Sequence, residues 1–171
     1  PRSTPKPSSA ASDVYKRQCM VRVMAVGVFD LLHAGHLHYL EQAKSLGTEL
    51  VVVVAHDDTV RSQKHEPVTS QELRCRMVKG LKPVDEAIVG NSPGTPIFDI
   101  LNVVNPNVIA LGYDQKHSID SIRNGLDEHG FSDVELTRVE GLSDDLDGTR
   151  KIIARILDLW PNSEGGPYEE D

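Results

Sequence analysis

Residues 21–36 read VRVMAVGVFDLLHAGH, and this stretch decides how the rest of the chain is interpreted. Its first part, 21–29, is an apolar run rich in β-branched residues, which is typical of a strand buried in a parallel sheet. Its last part places two histidines around a glycine where a helix begins. Free N–H groups and partial positive charge collect at a helix start, so this turn predicts a binding site for an anion such as phosphate.

Strand-like and helix-like segments alternate along the rest of the chain. Further apolar strand patterns lie at 49–55, 85–89, 107–112 and 133–139. Helical apolar spacing separates them, and a last helix is predicted over 149–160 with these side chains facing inward: Ile152, Ile153, Ile156 and Leu157. The alternation predicts a single doubly wound, Rossmann-like α/β domain, with a parallel sheet of about five strands and helices on both faces. Ligands bind such sheets beyond the carboxyl ends of the strands.

The formal charge of −8, from 18 basic and 26 acidic residues, argues against nucleic acid as a partner, because proteins that bind a duplex normally carry positive charge. No apolar run approaches the roughly 20 residues of a membrane helix, so no membrane contact is expected. Cys19 and Cys75 are too few for a disulfide framework and fit a reducing compartment. We therefore expect a cytoplasmic location.

The two ends differ in composition from the middle. Residues 1–19 are basic, rich in proline and serine, and have no periodic apolar pattern. They are predicted to be a disordered leader that is not native to the protein, with a transit peptide as the alternative. Residues 161–171 are predicted to be a disordered acidic tail. Residues 20–160 then form the domain.

The histidine pair is the strongest chemical signal in the chain. His33 and His36 are three residues apart, so both side chains can point into one cleft and donate hydrogen bonds to phosphate oxygens. Gly35 removes a side chain where a phosphate would approach the backbone. Two alternatives remain open. One is a capped helix with incidental histidines, and the other is a zinc pair, which lacks nearby cysteine ligands.

The string GVFDLLHAGH, residues 27–36, resembles the G-x-F-D-x-x-H-x-G-H signature of the cytidylyltransferase-like nucleotidyltransferases. The similarity continues through 37–47 and 56–58 and covers most of residues 20–160. Within this superfamily, residues 108–115 and 148–152 resemble the archaeal FAD synthases most. The glycerol-3-phosphate and choline-phosphate cytidylyltransferases are next.

This resemblance implies transfer of a nucleotidyl group from a nucleoside triphosphate to a phosphate acceptor, with pyrophosphate as leaving group and Mg²⁺ or another divalent cation on the phosphates. The preferred reaction joins AMP from ATP to FMN, which gives FAD. The first alternative is a CTP-dependent cytidylyltransferase that acts on glycerol-3-phosphate or a similar phosphorylated alcohol. The second is a non-catalytic nucleotide-binding module. The resemblance also implies a homodimer as a possible assembly.

The resemblance assigns roles to particular residues. It implies that the catalytic groups are His33, His36 and Lys64. It implies nucleotide contacts from the turn after the first strand, the end of the fourth strand and the start of the last helix, namely Gly27, Val28, Phe29, Asp30, Gly35, Gly112, Asp114 and Thr149. Further contacts to phosphate or acceptor are implied for Lys44, Arg74 and Arg138. A surface role is the alternative for Lys44 and Arg74, and a helix cap is the alternative for Asp114. No protein residue is expected to ligate a metal directly.

One segment departs from the family pattern. The R-T-E-G-I-S-T-T-K-I motif of the bacterial cytidylyltransferases is present as two halves, at 138–143 and 149–152, with an acidic insert between them. The carboxylates of Asp144, Asp145 and Asp147 either turn outward into solvent or face inward toward Mg²⁺ or Arg150. The outward arrangement is preferred, because an ion held by a triphosphate needs few protein ligands.

Overall fold

The computed structural model describes residues 20–63, 66–96, 98–113 and 118–160. The predicted leader and the predicted tail lie outside these ranges. Two predicted site residues, Lys64 and Asp114, also lie outside them.

Across the described ranges, five parallel strands form one sheet in the order β3-β2-β1-β4-β5. The strands are β1 (Arg22–Gly27), β2 (Glu49–Val54), β3 (Glu86–Val89), β4 (Val108–Leu111) and β5 (Glu135–Arg138). The order reverses between β1 and β4, which makes the carboxyl ends of these two strands the switch point of the sheet. The predicted doubly wound α/β fold is confirmed.

Six helices connect or follow the strands in the same ranges. They are α1 (Ala34–Ser45), α2 (Asp57–Gln63), α3 (Gln71–Lys79), α4 (Asp99–Val104), α5 (Ile119–Glu128) and α6 (Thr149–Leu159). The predicted serine cap of α3 is present, since the Ser70 side chain accepts a hydrogen bond from the Leu73 N–H. The short helix α2 was not expected, because its seven residues carry too few apolar positions to show a period.

Apolar residues cover both faces of the sheet. Alternate residues of β1 point to opposite faces, so Val23 and Ala25 belong to one core cluster and Met24 to the other. Helix residues complete the clusters: Leu40, Ala43 and Val78 on the first face, and Leu101, Val104 and Leu126 on the second. Helices α1 and α3 therefore pack on one face, and α4 and α5 pack on the other.

Tyr39 of α1 ties the two strands of the switch point together. Its hydroxyl accepts a hydrogen bond from the Val26 N–H of β1 (3.2 Å) and donates one to the Ala110 carbonyl of β4 (2.8 Å). Regular pairing between these strands stops at Ala25 and Ala110, whereas β1 continues to Gly27. The tyrosine thus joins the two strands at the point where their hydrogen-bond ladder ends, next to the predicted site.

The last helix corrects one prediction. Ile153, Ile156 and Leu157 of α6 are 40%, 46% and 63% exposed, and only Ile152 of the predicted inward set is half-buried. The helical pattern was correct, but a pattern of this kind shows that a helix has an apolar face without showing what covers it. No helix in the described ranges is long and apolar enough to cross a membrane.

Candidate active site

The turn after β1 has a strained backbone. Phe29 and Leu31 have φ angles of 56° and 52°, in the left-handed region that residues other than glycine rarely adopt. The Phe29 ring folds back over Gly27, where a Cβ atom would lie 2.8 Å from the ring. Gly27 is therefore required for close packing, and the surrounding structure must hold the turn in place.

This turn brings the two histidines together. His33 caps α1, because its Nδ1 accepts a hydrogen bond from the His36 N–H at 3.3 Å. The two imidazole rings stack with their centroids 3.7 Å apart, and the Phe29 ring lies 5.2 Å from His36. Since Nδ1 of His33 accepts, the neutral ring carries its proton on Nε2, which is the atom that can donate to a ligand.

Asp30 anchors a second loop to this turn. Its carboxylate is buried and accepts hydrogen bonds from the Val68 N–H (2.7 Å), the Thr69 N–H (3.1 Å) and the Thr69 hydroxyl (2.8 Å). Burial by itself raises the pKa of this carboxyl, but these hydrogen bonds and the charge of Arg74 outweigh it, so the pKa lies below its ordinary value. The carboxylate therefore faces the loop before α3 and holds that loop to the turn.

The position of the Arg74 side chain differs from the predicted phosphate contact. The side chain is completely buried. Its guanidinium donates to the carbonyls of Val28 (2.6 Å), Ala55 (2.9 Å) and Thr69 (3.0 Å) and pairs with the Asp57 carboxylate. Arg74 thus links the ends of β1 and β2 to the loop before α3. The sequence placed the arginine at the correct edge of the sheet but did not show that it points inward.

Lys44 also differs from its predicted role. It lies near the end of α1, and its ammonium donates to the Thr48 carbonyl (2.7 Å) and pairs with Asp85. These residues precede β2 and β3, so Lys44 is at the amino edge of the sheet, away from the histidines. Helix α1 runs antiparallel to the strands and carries Lys44 back to that edge.

The start of α6 meets the start of α1. The Thr149 hydroxyl donates to the Asp30 carbonyl at 3.1 Å. A Cβ atom on Gly35 would lie 2.1 Å from the carbonyl oxygen of Asp147, so the loop before α6 rests directly on the first turn of α1. Two helix starts with N–H groups and partial positive charge are therefore neighbours, as a site for a polyphosphate requires.

The acidic insert adopts a mixed arrangement. Asp144 and Asp145 are exposed, in agreement with the preferred outward arrangement. The Asp147 carboxylate is largely buried and pairs with Lys151 at 2.7 Å, rather than with Arg150. The hydrogen bond from Lys151 to Asp147 raises the pKa of this lysine above its ordinary value. Sequence reasoning missed Lys151, although its spacing of four residues from Asp147 on a helix start was a usable signal.

Gly112 and Arg138 meet at the carboxyl ends of β4 and β5. The Arg138 guanidinium donates to the Gly112 carbonyl at 2.7 Å. The next residue, Tyr113, is half exposed, and its ring lies so close to Gly141 that a Cβ atom there would be 2.7 Å away. The structure therefore brings these predicted residues to the same edge of the sheet as His33.

Comparison with known proteins identifies the family. The family model described as Cytidylyltransferase-like matches residues 24–140. The chain belongs to this family.

Individual relatives give a closer comparison than the family model does. The chain is 48% identical to the FAD synthase of Thermococcus onnurineus (strain NA1) over 82% of its own length and 93% of the relative's. It is 46% identical to the FAD synthase of Aciduliprofundum boonei (strain DSM 19572 / T469) over 81% and 92% of the two chains. A crystal structure from Thermoplasma volcanium GSS1, described as a lipopolysaccharide core biosynthesis protein, matches with a TM-score of 0.69 at 40% identity, over 72% of this chain and 99% of that one.

The depressed pKa of Asp30 predicts a pH-dependent contribution to stability. A carboxylate whose pKa is lowered by folding stabilises the protein above its unfolded pKa, and this contribution is lost as the pH falls through the folded pKa. Asp30→Asn should therefore lower the free energy of unfolding by about 1–3 kcal/mol near neutral pH, and this deficit should shrink toward pH 3. Urea titrations across that range measure the deficit. Glu128→Gln, an exposed change on α5, is the control, and a deficit independent of pH would contradict the assignment.

Proposed function

We propose that this chain is an FAD synthase, which transfers AMP from ATP to FMN and releases pyrophosphate. The observation that carries the proposal is the stacked pair His33 and His36 at the start of α1. The same turn contacts the start of α6 through Asp30 and Gly35. The FAD synthases that the chain resembles supply the choice of substrates, since they match it over nearly their whole length.

The reaction needs positioning and charge stabilisation rather than an activated side chain. An oxygen of the FMN phosphate attacks the α-phosphorus of ATP and forms a new P–O bond. The bond from the α-phosphorus to the oxygen bridging to the β-phosphate breaks, and that oxygen leaves with the pyrophosphate. The nucleophile is already an anion, so the enzyme has to bring two anions together in line and stabilise the charge that develops.

The histidines are suited to this task because they are fixed before the substrate arrives. The Nε2–H of His33 and the ring of His36 stand at a helix start whose partial charge also favours an anion. We assign both to the α-phosphate and the departing pyrophosphate. Thr149 and the N–H groups at the start of α6 are assigned to the outer phosphates of ATP.

Entry of the triphosphate requires movement of the loop before α6. The Asp147 carbonyl occupies the space directly above Gly35, where a phosphate would lie closest to the start of α1. Displacing this loop would open the space while Thr149 stays on the neighbouring helix start. The loop then covers the bound nucleotide and limits the access of water.

A divalent cation is proposed to arrive with the triphosphate. Near the site, the Asp147 carboxylate is paired with Lys151, and Asp144 and Asp145 are turned to solvent. This arrangement fits Mg²⁺ held mainly by phosphate oxygens and water. The ion would neutralise charge on the phosphates as pyrophosphate leaves.

The predicted contacts from Lys64, Asp114 and Arg138 remain proposals, and so do the cellular location and the assembly. A cytoplasmic location rests on the cysteine content, with Cys75 as a free thiol. A homodimer is proposed as the assembly.

The substrate choice is tested by a product assay. FMN and glycerol-3-phosphate are each offered with ATP and with CTP in the presence of Mg²⁺, and pyrophosphate and the nucleotide product are measured. We expect FAD and pyrophosphate from ATP with FMN, and a much lower rate from the other three pairs. Product from CTP and glycerol-3-phosphate would favour the cytidylyltransferase alternative, and ATP binding without any product would favour the non-catalytic module.

The role of the histidine pair is tested by His36→Ala. Loss of one preorganised donor lowers kcat by about 10²–10³ and affects ATP binding much less, because the donor acts most strongly on charge that develops in the transition state. His38→Ala is the matched control, since His38 lies on the same helix and bonds to Gln42. Steady-state kinetics and ATP titration measure both effects. A His36→Ala variant within about threefold of the wild-type kcat would exclude His36 from the mechanism.

A further inference from the structure

The first turn of α6 has a charge pattern that the start of a helix normally avoids. Helix starts favour acidic side chains, because their N–H groups concentrate partial positive charge. Helices α3 and α5 follow this rule, since each has a serine cap and an acid in its first turn, Glu72 and Asp120. Among the described residues no side chain caps α6, which begins after Gly148 and carries Arg150 and Lys151 in its first turn in place of an acid. A negative group from another segment would therefore stabilise this end of α6.

Asp147 provides this negative charge in the structure. Its carboxylate is largely buried, with a side chain 11% exposed, and pairs with the Lys151 ammonium at 2.7 Å. The Asp144 carbonyl accepts a second hydrogen bond from this ammonium at 3.3 Å. The phenol of Tyr113, two residues after β4, interacts electrostatically with the same ammonium. Lys151 therefore holds the loop before α6 in place at the carboxyl edge of the sheet.

The backbone of Asp147 lies against the start of α1. Its carbonyl oxygen is so close to Gly35 that a Cβ atom there would overlap it. A carbonyl oxygen carries partial negative charge, so Asp147 presents one negative atom to each of two helix starts. The carbonyl lies at the start of α1, and the carboxylate lies at the start of α6. These are the two places at which the phosphates of ATP are proposed to bind.

We propose that Asp147 is an internal competitor of the triphosphate, and that Lys151 is a phosphate contact which Asp147 occupies until ATP binds. On binding, the Asp147 carbonyl leaves the space over Gly35, and the Lys151 ammonium moves from the Asp147 carboxylate to an oxygen of an outer phosphate. Ion pairs are exchanged, and no covalent bond changes. The inference rests on the proposed function for the presence of the triphosphate, and it adds a contact residue and a competing group to that site.

The properties of the two residues suit this exchange. The Lys151 side chain is 54% exposed, and an ion pair with such a partner contributes little stability, so breaking it costs little free energy. A lysine ammonium is carried on a flexible stem and can reach a new anion while the helix stays in place. Its hydrogen bonds to phosphate are strengthened by the charges of both groups. AMP has no outer phosphates, so ATP gains the Lys151 contact and AMP does not.

The competitor is tested by Asp147→Asn, which keeps the size of the side chain and removes its charge. The variant should bind ATP about three- to tenfold more tightly, because a larger fraction of the protein then has Lys151 available. Titration calorimetry of the full chain with ATP and Mg²⁺, without FMN, measures the dissociation constant. Asp145→Asn is the matched control, since it removes the same charge from an exposed position in the same loop, and its constant should stay within about twofold of wild type.

The phosphate contact is tested by Lys151→Met. Loss of the ammonium should raise the dissociation constant of ATP by about tenfold and leave that of AMP within about twofold, because AMP lacks outer phosphates. Arg155→Met, one turn further along α6, removes the same charge from an exposed position and should change neither constant by more than about twofold. Circular dichroism and thermal melting of each variant verify that the fold is retained.

The opposite directions of the two shifts separate this proposal from a purely structural ion pair. Both variants break the pair, so hydrogen exchange of residues 144–148 in the nucleotide-free protein should become faster in both. If Lys151 only held the loop down, both variants would therefore bind ATP more tightly. Tighter binding in Asp147→Asn together with weaker binding in Lys151→Met is the pattern expected when the lysine contacts the triphosphate.

Three results would overturn the proposal. The first is an ATP dissociation constant that is unchanged in Asp147→Asn. The second is tighter ATP binding in Lys151→Met. The third is weaker ATP binding with a raised Mg²⁺ requirement in Asp147→Asn, which would make this carboxylate a metal ligand. Failure of the proposed function has a different signature, because a chain that binds ATP and forms no FAD would contradict the reaction while these shifts in ATP binding still stand.

Discussion

The buried guanidinium of Arg74 is the group on which the geometry of the site depends. A buried charge without partners would lower the free energy of unfolding by several kcal/mol. The groups that pair with Arg74 must therefore stay in place as firmly as the arginine itself. Here the partners are the carbonyls of Val28 and Ala55, which directly follow the adjacent strands β1 and β2, the carbonyl of Thr69 and the Asp57 carboxylate. One side chain thereby locks three segments of the carboxyl edge together.

The strained turn after β1 is possible because of this network. Left-handed angles at Phe29 and Leu31 each cost of order 1–3 kcal/mol and persist only where the surroundings determine them. Arg74 holds the Val28 carbonyl on one side of the turn, and Asp30 holds the loop at Val68 and Thr69 on the other. The turn then delivers the histidine pair to the start of α1, where the proposed chemistry occurs.

Much of this arrangement could be predicted from the sequence, because it depends on local pattern. Apolar period and strand–helix alternation predicted the parallel sheet, and the residues of 27–36 predicted where the candidate site lies, at the turn after β1. The direction of a side chain was harder to predict. A basic residue at a helix start, such as Arg74, can face a ligand or the backbone, and only the folded chain shows that its donors reach carbonyl groups. The position of Lys44 was within reach of sequence reasoning, because a helix that follows a parallel strand runs back toward the amino edge. The exposure of the apolar residues of α6 was not, since a periodic pattern shows that a helix has an apolar face without showing what covers it.

The central claim is that Arg74 positions the site as well as stabilising the fold, and Arg74→Lys tests it most directly. A lysine offers its donors from one atom and cannot span four acceptors. We expect the free energy of unfolding to fall by about 3–5 kcal/mol and, well below the melting temperature, kcat to fall by about tenfold or more. Arg76→Lys, an exposed change on the same helix, should leave both unchanged. An Arg74→Lys variant that loses stability but keeps the wild-type kcat would contradict the claim.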